Sequence, residues 1–383
     1  MRLDDAINIE DLHQLAKRRL PKVAFDFIEG GLEDEEGLAR NEAVFRRYGI
    51  LPRYLVDIAK RDPSTELFGR RYALPFGIAP TGLAGLFRPD GDLMLAGAAA
   101  AANIPYIMSG ASNATIEEAA SVAPEHTWYQ LYGARDRNIS EHLIKRSRDA
   151  GLTTLVLTVD VPVNSKRERN IRNGFVRPYK LKPSIMIEAL LHPGWIIDYL
   201  RTGGTPIFGN WAPYANAGAD ANAVSEFLAT QTPSAQTWHD LEAYRRLWPG
   251  KLVVKGILHP DDARRAAELG VDGIMVSNHG GRQLDRAPSP LDMLPTIKAA
   301  VGERLTLMLD SGIRRGSDIV IAHCLGASFT FVGRATLYGA VAGGTAGIRR
   351  AIAILHTEID LVMAQMGCPS WDQLGPQWLL DDA

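Results

Sequence analysis

From Leu74 onward the chain alternates two hydrophobic rhythms. Short unbroken runs of aliphatic, β-branched and aromatic residues stand at Phe76 to Ala79, Tyr106 to Met108, Trp128 to Leu131 and Leu155 to Thr158. They recur at Leu252 to Val254, Ile274 to Val276, Leu307 to Leu309 and Phe329 to Val332. Runs of this length, stopped by polar residues and glycines, predict short buried strands. Between them lie Ala- and Leu-rich segments, such as Leu93 to Ala102, Ile139 to Ala150 and Asp261 to Leu269, whose apolar positions follow a helical period. Eight strand–helix units predict one (β/α)8 TIM barrel. A doubly wound sheet also alternates strand and helix, but it gathers its polar motifs at one switch point, whereas here polar residues follow nearly every strand.

Two segments stand outside this alternation. Near the N-terminus, Leu12, Leu15, Ala16 and Leu20 recur at helical spacing behind Asn8, a capping residue, and Pro21 ends the run. A second helix is expected over Val23 to Ile28, stopping at Glu29-Gly30-Gly31. The other segment is an insertion, roughly Gly174 to Pro233, between the fourth and fifth strands, far longer than an ordinary barrel loop. It carries Lys180 and Lys182, then Ile185, Met186, Ile187, Ala189, Leu190, Leu191, Trp195, Ile196, Ile197, Tyr199 and Leu200, with Arg201, Phe208 and Trp211 beyond. Apolar, rich in Trp and Tyr and flanked by cations, it fits a helix lying in a membrane interface without the length to span one. A lid folded over the site is the other reading.

Composition narrows the function. The 383 residues, 46% of them hydrophobic, can bury a large core, and the whole chain 1–383 is read as one domain. A net charge of -2 offers no general attraction for nucleic acid. Two cysteines, Cys324 and Cys368, make neither a disulfide framework nor a metal site, so no metal is expected and a reducing cytosol fits. The opening Met-Arg-Leu-Asp-Asp-Ala lacks an apolar signal core, and no run reaches the ~18 apolar residues of a membrane span. The expected location is cytoplasmic, with peripheral contact on the inner face of the cell membrane if the insertion binds lipid.

Candidate site residues cluster at the strand ends. They are Pro80-Thr81-Gly82, Ser109, Gln130 and Tyr132, then Thr158 and Asp160, Lys255, Ser277 and His279, Asp310-Ser311-Gly312, and Gly333-Arg334. In a barrel all of these lie around one open end, where active sites are built. Taken singly, each is more often a cap or a turn residue. The sixth strand runs into Ser277-Asn-His-Gly-Gly-Arg-Gln-Leu-Asp285, whose His279 and Arg282 stand three positions apart across paired glycines that permit a tight turn and close approach to a ligand. A neutral imidazole can take a proton and a guanidinium can hold a carboxylate through two parallel bonds, so the pair reads as a base beside an anion clamp. After the last two strands, Gly312, Arg314, Gly333 and Arg334 supply glycine amides and cations where barrels commonly bind phosphate.

The nonapeptide resembles the active-site signature of the FMN-dependent 2-hydroxy acid dehydrogenases and oxidases. The chain is similar to that family from about Ile9 to about Leu374, and most like its (S)-mandelate and L-lactate dehydrogenase branch. The resemblance implies FMN as cofactor, held by Thr81, Gly82, Ser109, Gln130, Thr158, Lys255, Ser277, Asp310, Gly312, Arg314, Gly333 and Arg334. Lys255 would stabilise the anionic edge of the reduced flavin. Arg167 and Arg282 would hold the substrate carboxylate, His279 would be the base, Asp160 would orient it, and Tyr132 would bond the substrate hydroxyl. The base would remove either the C2 proton or the hydroxyl proton as hydride leaves; both routes stay open. Where the family usually has Tyr, this chain has Phe27, and where short-chain glycolate oxidases have Trp it has Ala111, which together predict that a large or aromatic acid such as mandelate outperforms glycolate and lactate, while the branch likeness keeps lactate as the other substrate.

The segment Leu191-His-Pro-Gly-Trp195 resembles one in the membrane-bound mandelate and lactate dehydrogenases. It favours a quinone or other carrier as acceptor, and the Thr81-Gly82 pair points the same way. A soluble oxidase releasing peroxide is the alternative. A barrel binding FMN or a sugar phosphate without redox turnover, as an isomerase or binding protein, is a third reading. The family likeness further implies a homo-oligomer, a tetramer.

Overall fold

The computed structural model describes residues 1–175 and 183–381. Lys180 and Lys182 lie outside the described residues. All eight expected strands form: β1 Phe76–Ile78, β2 Tyr106–Met108, β3 Thr127–Leu131, β4 Thr154–Thr158, β5 Lys251–Ile257, β6 Gly273–Val276, β7 Thr306–Leu309 and β8 Phe329–Val332. Every neighbouring pair is parallel, and β8 pairs with β1 to close the barrel.

Closure explains the unbroken apolar runs. One side of each strand faces the barrel interior, filled by Ile107, Trp128, Val156, Val253, Met275 and Phe331, and the other packs on the surrounding helices. A hairpin of Thr65–Leu67 with Arg70–Tyr72 stops the lower mouth, setting Phe68 against Trp128 and Tyr72 against Phe329. The upper mouth, at the strands' C-terminal ends, is left open for the site.

Register brings the candidates level. Thr158 on β4 pairs with Lys255 on β5, and Val276 on β6 pairs with Leu309 on β7, so Ser277 and Asp310 leave the barrel side by side. The β5–β6 ladder is irregular between Lys255 and Ile257. Gly256 there takes φ 102°, and a Cβ on it would stand 2.6 Å from Asp160 Cβ. Only glycine lets β5 kink and admit Asp160 beside it.

The N-terminal extension forms as expected: Asn8 caps helix Ile9–Arg19 through Asp11 N at 2.8 Å, and helix Lys22–Glu29 ends at Gly30. A further helix, Glu36–Ala43, follows. The extension packs on the C-terminal helical segment Arg334–Met366, broken by non-helical backbone at Gly343 and Gly344, with Arg350 Nη2 donating to Ala6 O at 2.6 Å.

In the insertion, helices Pro183–Leu190 and Pro193–Arg201 precede Ala221–Gln231. Among the described residues no helix is long and apolar enough to cross a membrane. Phe208 and Trp211, counted with the interfacial stretch on composition, are instead buried, and Trp211 Nε1 donates to Gly110 O at 2.7 Å beyond β2. Composition alone does not separate an aromatic that meets lipid from one that pins a loop to the core.

Candidate active site

The open mouth of the barrel holds a cavity of about 320 Å³. Thr81, Gly82, Ser109, Tyr132, Thr158, Arg167 and Lys255 line it, as do His279, Arg282, Asp310, Gly312, Arg314, Gly333, Arg334 and Phe27. Gln130, Asp160 and Ser277 are not on the lining and sit just behind it. Gln130 Oε1 accepts from Gly110 N at 3.0 Å, and Ser277 Oγ accepts from Lys255 Nζ at 2.6 Å and from His279 N at 3.1 Å. Ser277 thus holds two lining residues in place.

His279 sits in the left-handed region at φ 59°, a strained conformation typical of functional turns. Its Nδ1 lies 2.9 Å from Asp160 Oδ1, and its Nε2 lies 3.5 Å from the Tyr132 hydroxyl. The carboxylate assigns the ring proton to Nδ1 and leaves the Nε2 lone pair on the Tyr132 side. Burial lowers the imidazole below its ordinary pKa, aided by Lys255 and Arg167 and only partly opposed by Asp160. At neutral pH the ring is therefore an uncharged base. Burial works against the Asp160 charge, but His279 and Lys255 outweigh it and hold the carboxyl below its usual range. Burial and the Asp160 charge push the Tyr132 hydroxyl up to about 12, so it stays a donor.

Lys255 is almost fully buried, with Nζ 2.9 Å from Asp310 Oδ2. Burial opposes its charge, yet Asp310 and Asp160 outweigh that and keep it an ammonium. Arg282 is pulled well below the ordinary guanidinium value, by burial first and then by Arg167 and Arg334. A guanidinium does not give up its proton in a protein, so the effect is stored positive potential that a bound anion relieves.

Gly280 and Gly281 of the motif, and Gly312 after β7, have a packing duty that their sequence does not show. A Cβ on Gly281 would stand 2.6 Å from Leu38 N, one on Gly280 2.8 Å from Arg334 Nη1, and one on Gly312 1.9 Å from Asn41 O. Close approach at Gly281 and Gly312 is therefore to the backbone of helix Glu36–Ala43, and at Gly280 to an arginine. Gly333 differs, because a Cβ there would meet only Thr81 and Ala79 at ordinary contact distances. Of the two phosphate-site arginines, Arg314 Nη2 pairs with Glu42 Oε1 at 2.8 Å, while Arg334 donates to Ile28, Glu29, Gly30 and Gly280 carbonyls.

The donor set fits FMN. Among the described residues Thr81 Oγ1, Thr158 Oγ1 and Gln130 Nε2 are buried without a protein partner, around a buried ammonium. Polar groups left bare in a protein interior are costly and call for a polar ligand. Thr81, Thr158, Gln130 and Lys255 would be the residues to hold the ring system, and Gly333, Arg334 and Arg314 those to hold the phosphate.

Sequence reasoning missed much of the apolar wall. Leu83, Phe87, Phe175 and Phe208 line the cavity, and Phe27 stands 5.8 Å from Phe87 and 5.0 Å from Phe175 between ring centroids. No local pattern marks Phe175 or Phe208, which stand before helix Pro183–Leu190 and after helix Pro193–Arg201.

Comparison with known proteins gives one consistent answer. The chain is 41% identical over 375 residues to (S)-mandelate dehydrogenase of Pseudomonas putida, an alignment covering 98% of this chain and 94% of that protein. It is 39% identical over 381 residues to L-lactate oxidase of a Nostoc species, covering 98% and 99% respectively. A crystal structure of monotopic membrane protein (S)-mandelate dehydrogenase, 40% identical, superposes with a TM-score of 0.95 over 98% of this chain and 100% of the other. Residues 16–381 match one family model, FMN-dependent dehydrogenase, and by that match and these relatives the chain belongs to the FMN-dependent dehydrogenases.

Proposed function

We propose that residues 1–383 act as one domain that oxidises an L-2-hydroxy acid to the 2-oxo acid and passes the electrons to a quinone or other carrier. The observation that carries this reading is His279, held at 2.9 Å by Asp160 and facing Tyr132, on the same cavity wall as Arg167 and Arg282. The two guanidiniums bind and orient the carboxylate. His279 Nε2 takes one proton from the substrate, and Asp160 stabilises the imidazolium that results. The Tyr132 hydroxyl donates to the substrate oxygen. FMN, when bound, would supply the two-electron acceptor for this oxidation. If the proton taken by His279 is the hydroxyl's, the C2 hydrogen leaves with both electrons as hydride; if it is the C2 proton, the electron pair left on C2 is what departs and the hydroxyl hydrogen is lost as a second proton.

Anaerobic addition of (S)-mandelate to the yellow protein should bleach it. A protein that stays yellow with every 2-hydroxy acid is instead a binding barrel or an isomerase.

The aromatic wall sets the substrate class. Phe27, Phe87, Phe175 and Leu83 give a bulky apolar group at C2 a surface to bury against, and Ala111 leaves it room. Arg282 lies 5.1 Å from the centre of the Phe27 ring, so Phe27 meets the clamp through a ring face and not a hydroxyl. Phe27→Tyr should raise kcat/KM for glycolate about tenfold, the lower end for a hydrogen bond to a charged group. Mandelate, already held by its ring, should gain less. Glycolate kinetics left untouched would place this position away from the carboxylate.

The insertion divides between the two readings of it. Phe175 at its start and Phe208 beyond its second helix wall the cavity as a lid does, while Ile187, Leu190, Leu191 and Leu200 are between 65% and 75% exposed. Trp195 turns inward, donating to Leu86 O at 2.9 Å. We assign the outward face to the membrane surface, which brings the protein to its quinone. Changing Leu190, Leu191, Ile197 and Leu200 to Ser together should cut membrane partition at least tenfold while turnover with a soluble dye persists, since burial of each side chain contributes on the order of 1.5–3 kcal/mol. A wild-type protein that ignores vesicles and makes peroxide at its full turnover rate would be the oxidase instead.

A further inference from the structure

Helix Lys22–Glu29 ends with its last carbonyls pointing at the active site. Such groups have no partner inside their own helix and carry the negative end of its dipole. Here two guanidiniums from different barrel loops satisfy them. Arg282 Nη1 donates to Gly30 O at 2.7 Å and Ile28 O at 3.3 Å. Arg334 donates through Nε to Ile28 O at 2.9 Å and through Nη2 to Glu29 O at 3.3 Å and Gly30 O at 3.2 Å. The same helix end sets the Phe27 ring beside Arg282. A shift of this turn therefore moves the guanidinium on two sides at once.

The turn is pinned by the one side chain in it that looks away from the cavity. Glu29 Oε2 accepts from the Tyr338 hydroxyl at 2.6 Å and faces His13 Nε2 at 3.4 Å. Tyr338 lies on Arg334–Met366 and is buried, and the His13 ring packs against both Tyr338 and Phe25. Burial works against the Glu29 charge, but His13, Tyr338 and Arg334 outweigh it and hold the carboxyl at about 2. Glu29 itself does not line the cavity.

We infer that Glu29, clasped by Tyr338 and His13, is a positioning residue that sets the aim of Arg282 at the substrate carboxylate through the Ile28–Gly30 carbonyls. This rests on the reading of Arg282 as part of the carboxylate clamp. A shift of the Phe27 ring acts on acid and ester alike, whereas an orienting contact on Arg282 acts first on the charged end of the substrate. Its loss shows as a change in the preference for an acid over the neutral ester of the same acid.

The test uses the FMN-loaded protein with Tyr338→Phe and, separately, Glu29→Gln. Dissociation constants of a 2-oxo acid and of its methyl ester are read from the flavin absorbance, with flavin content and Tm alongside. Tyr338→Phe leaves Glu29 with His13, and Glu29→Gln keeps an acceptor for Tyr338, so each variant loses only part of the clasp. Acid affinity should weaken roughly 2- to 30-fold in each, the usual range for a mutation that acts through a connected network, while ester affinity and flavin content hold. Acid and ester weakening together, or a lower Tm with an unchanged acid-to-ester ratio, would overturn the inference and make the clasp merely structural. Arg282→Met is the reference. If it too leaves the ratio unchanged, the clamp reading fails. If it alone changes the ratio, only the positioning role of Glu29 fails.

Discussion

Replacing His279 by Asn should leave the protein yellow and slow its anaerobic reduction by a 2-hydroxy acid about 100- to 10,000-fold, the contribution of a well-placed base. Asn is the informative substitution. It tolerates the left-handed backbone at φ 59° and its amide can still donate to Asp160, so the turn survives while the basic nitrogen is gone. In the wild type the same group sets the acid limb of the pH profile. The base works as neutral imidazole, and burial with Lys255 and Arg167 lowers its pKa. Activity should therefore persist as pH falls through the ordinary histidine value of about 6.5, and decline only below it. A limb at or above that value, or a near-normal rate in His279→Asn, would remove His279 from proton transfer.

How much of this was open to reading depends on the range of the interactions. Buried strands announce themselves because every residue in them is apolar, and all eight were placed within a few residues. His279 and Arg282 were legible because a base and a cation across paired glycines make poor core material. The partners of those glycines were not legible. Gly281 and Gly312 are glycines because helix Glu36–Ala43 lies against them, and a contact between the two ends of a chain leaves no local pattern. The same holds for Gly256, whose kink makes room for Asp160. Ser277, which the family likeness implies as a cofactor contact, also holds Lys255 and the His279 backbone through its hydroxyl, a pairing that no local pattern shows. The insertion misled in part because Phe208 and Trp195 share the composition of an interfacial helix while one walls the cavity and the other is tied to Leu86.

Arg282→Met should lower kcat/KM for a 2-hydroxy acid by about 100- to 10,000-fold while changing that for its methyl ester less than tenfold. Two parallel hydrogen bonds to a carboxylate contribute ~1.5 to 3 kcal/mol each, and Met keeps the length and apolar stem of the arginine but none of its donors. The fold should tolerate the change. Arg334 still donates to both Ile28 O and Gly30 O, so neither carbonyl becomes an orphan, and Met can pack on the Phe27 ring that the guanidinium now faces. Removing Arg282 also takes away one of three neighbouring cations whose repulsion the folded protein bears without an anion. Stability of the substrate-free protein should then hold or rise, even as the acid is lost as a substrate. That opposition between affinity and stability is the mark of a site built to receive a negative charge. Acid and ester falling together would mean that Arg282 shapes the cavity and does not bind the carboxylate.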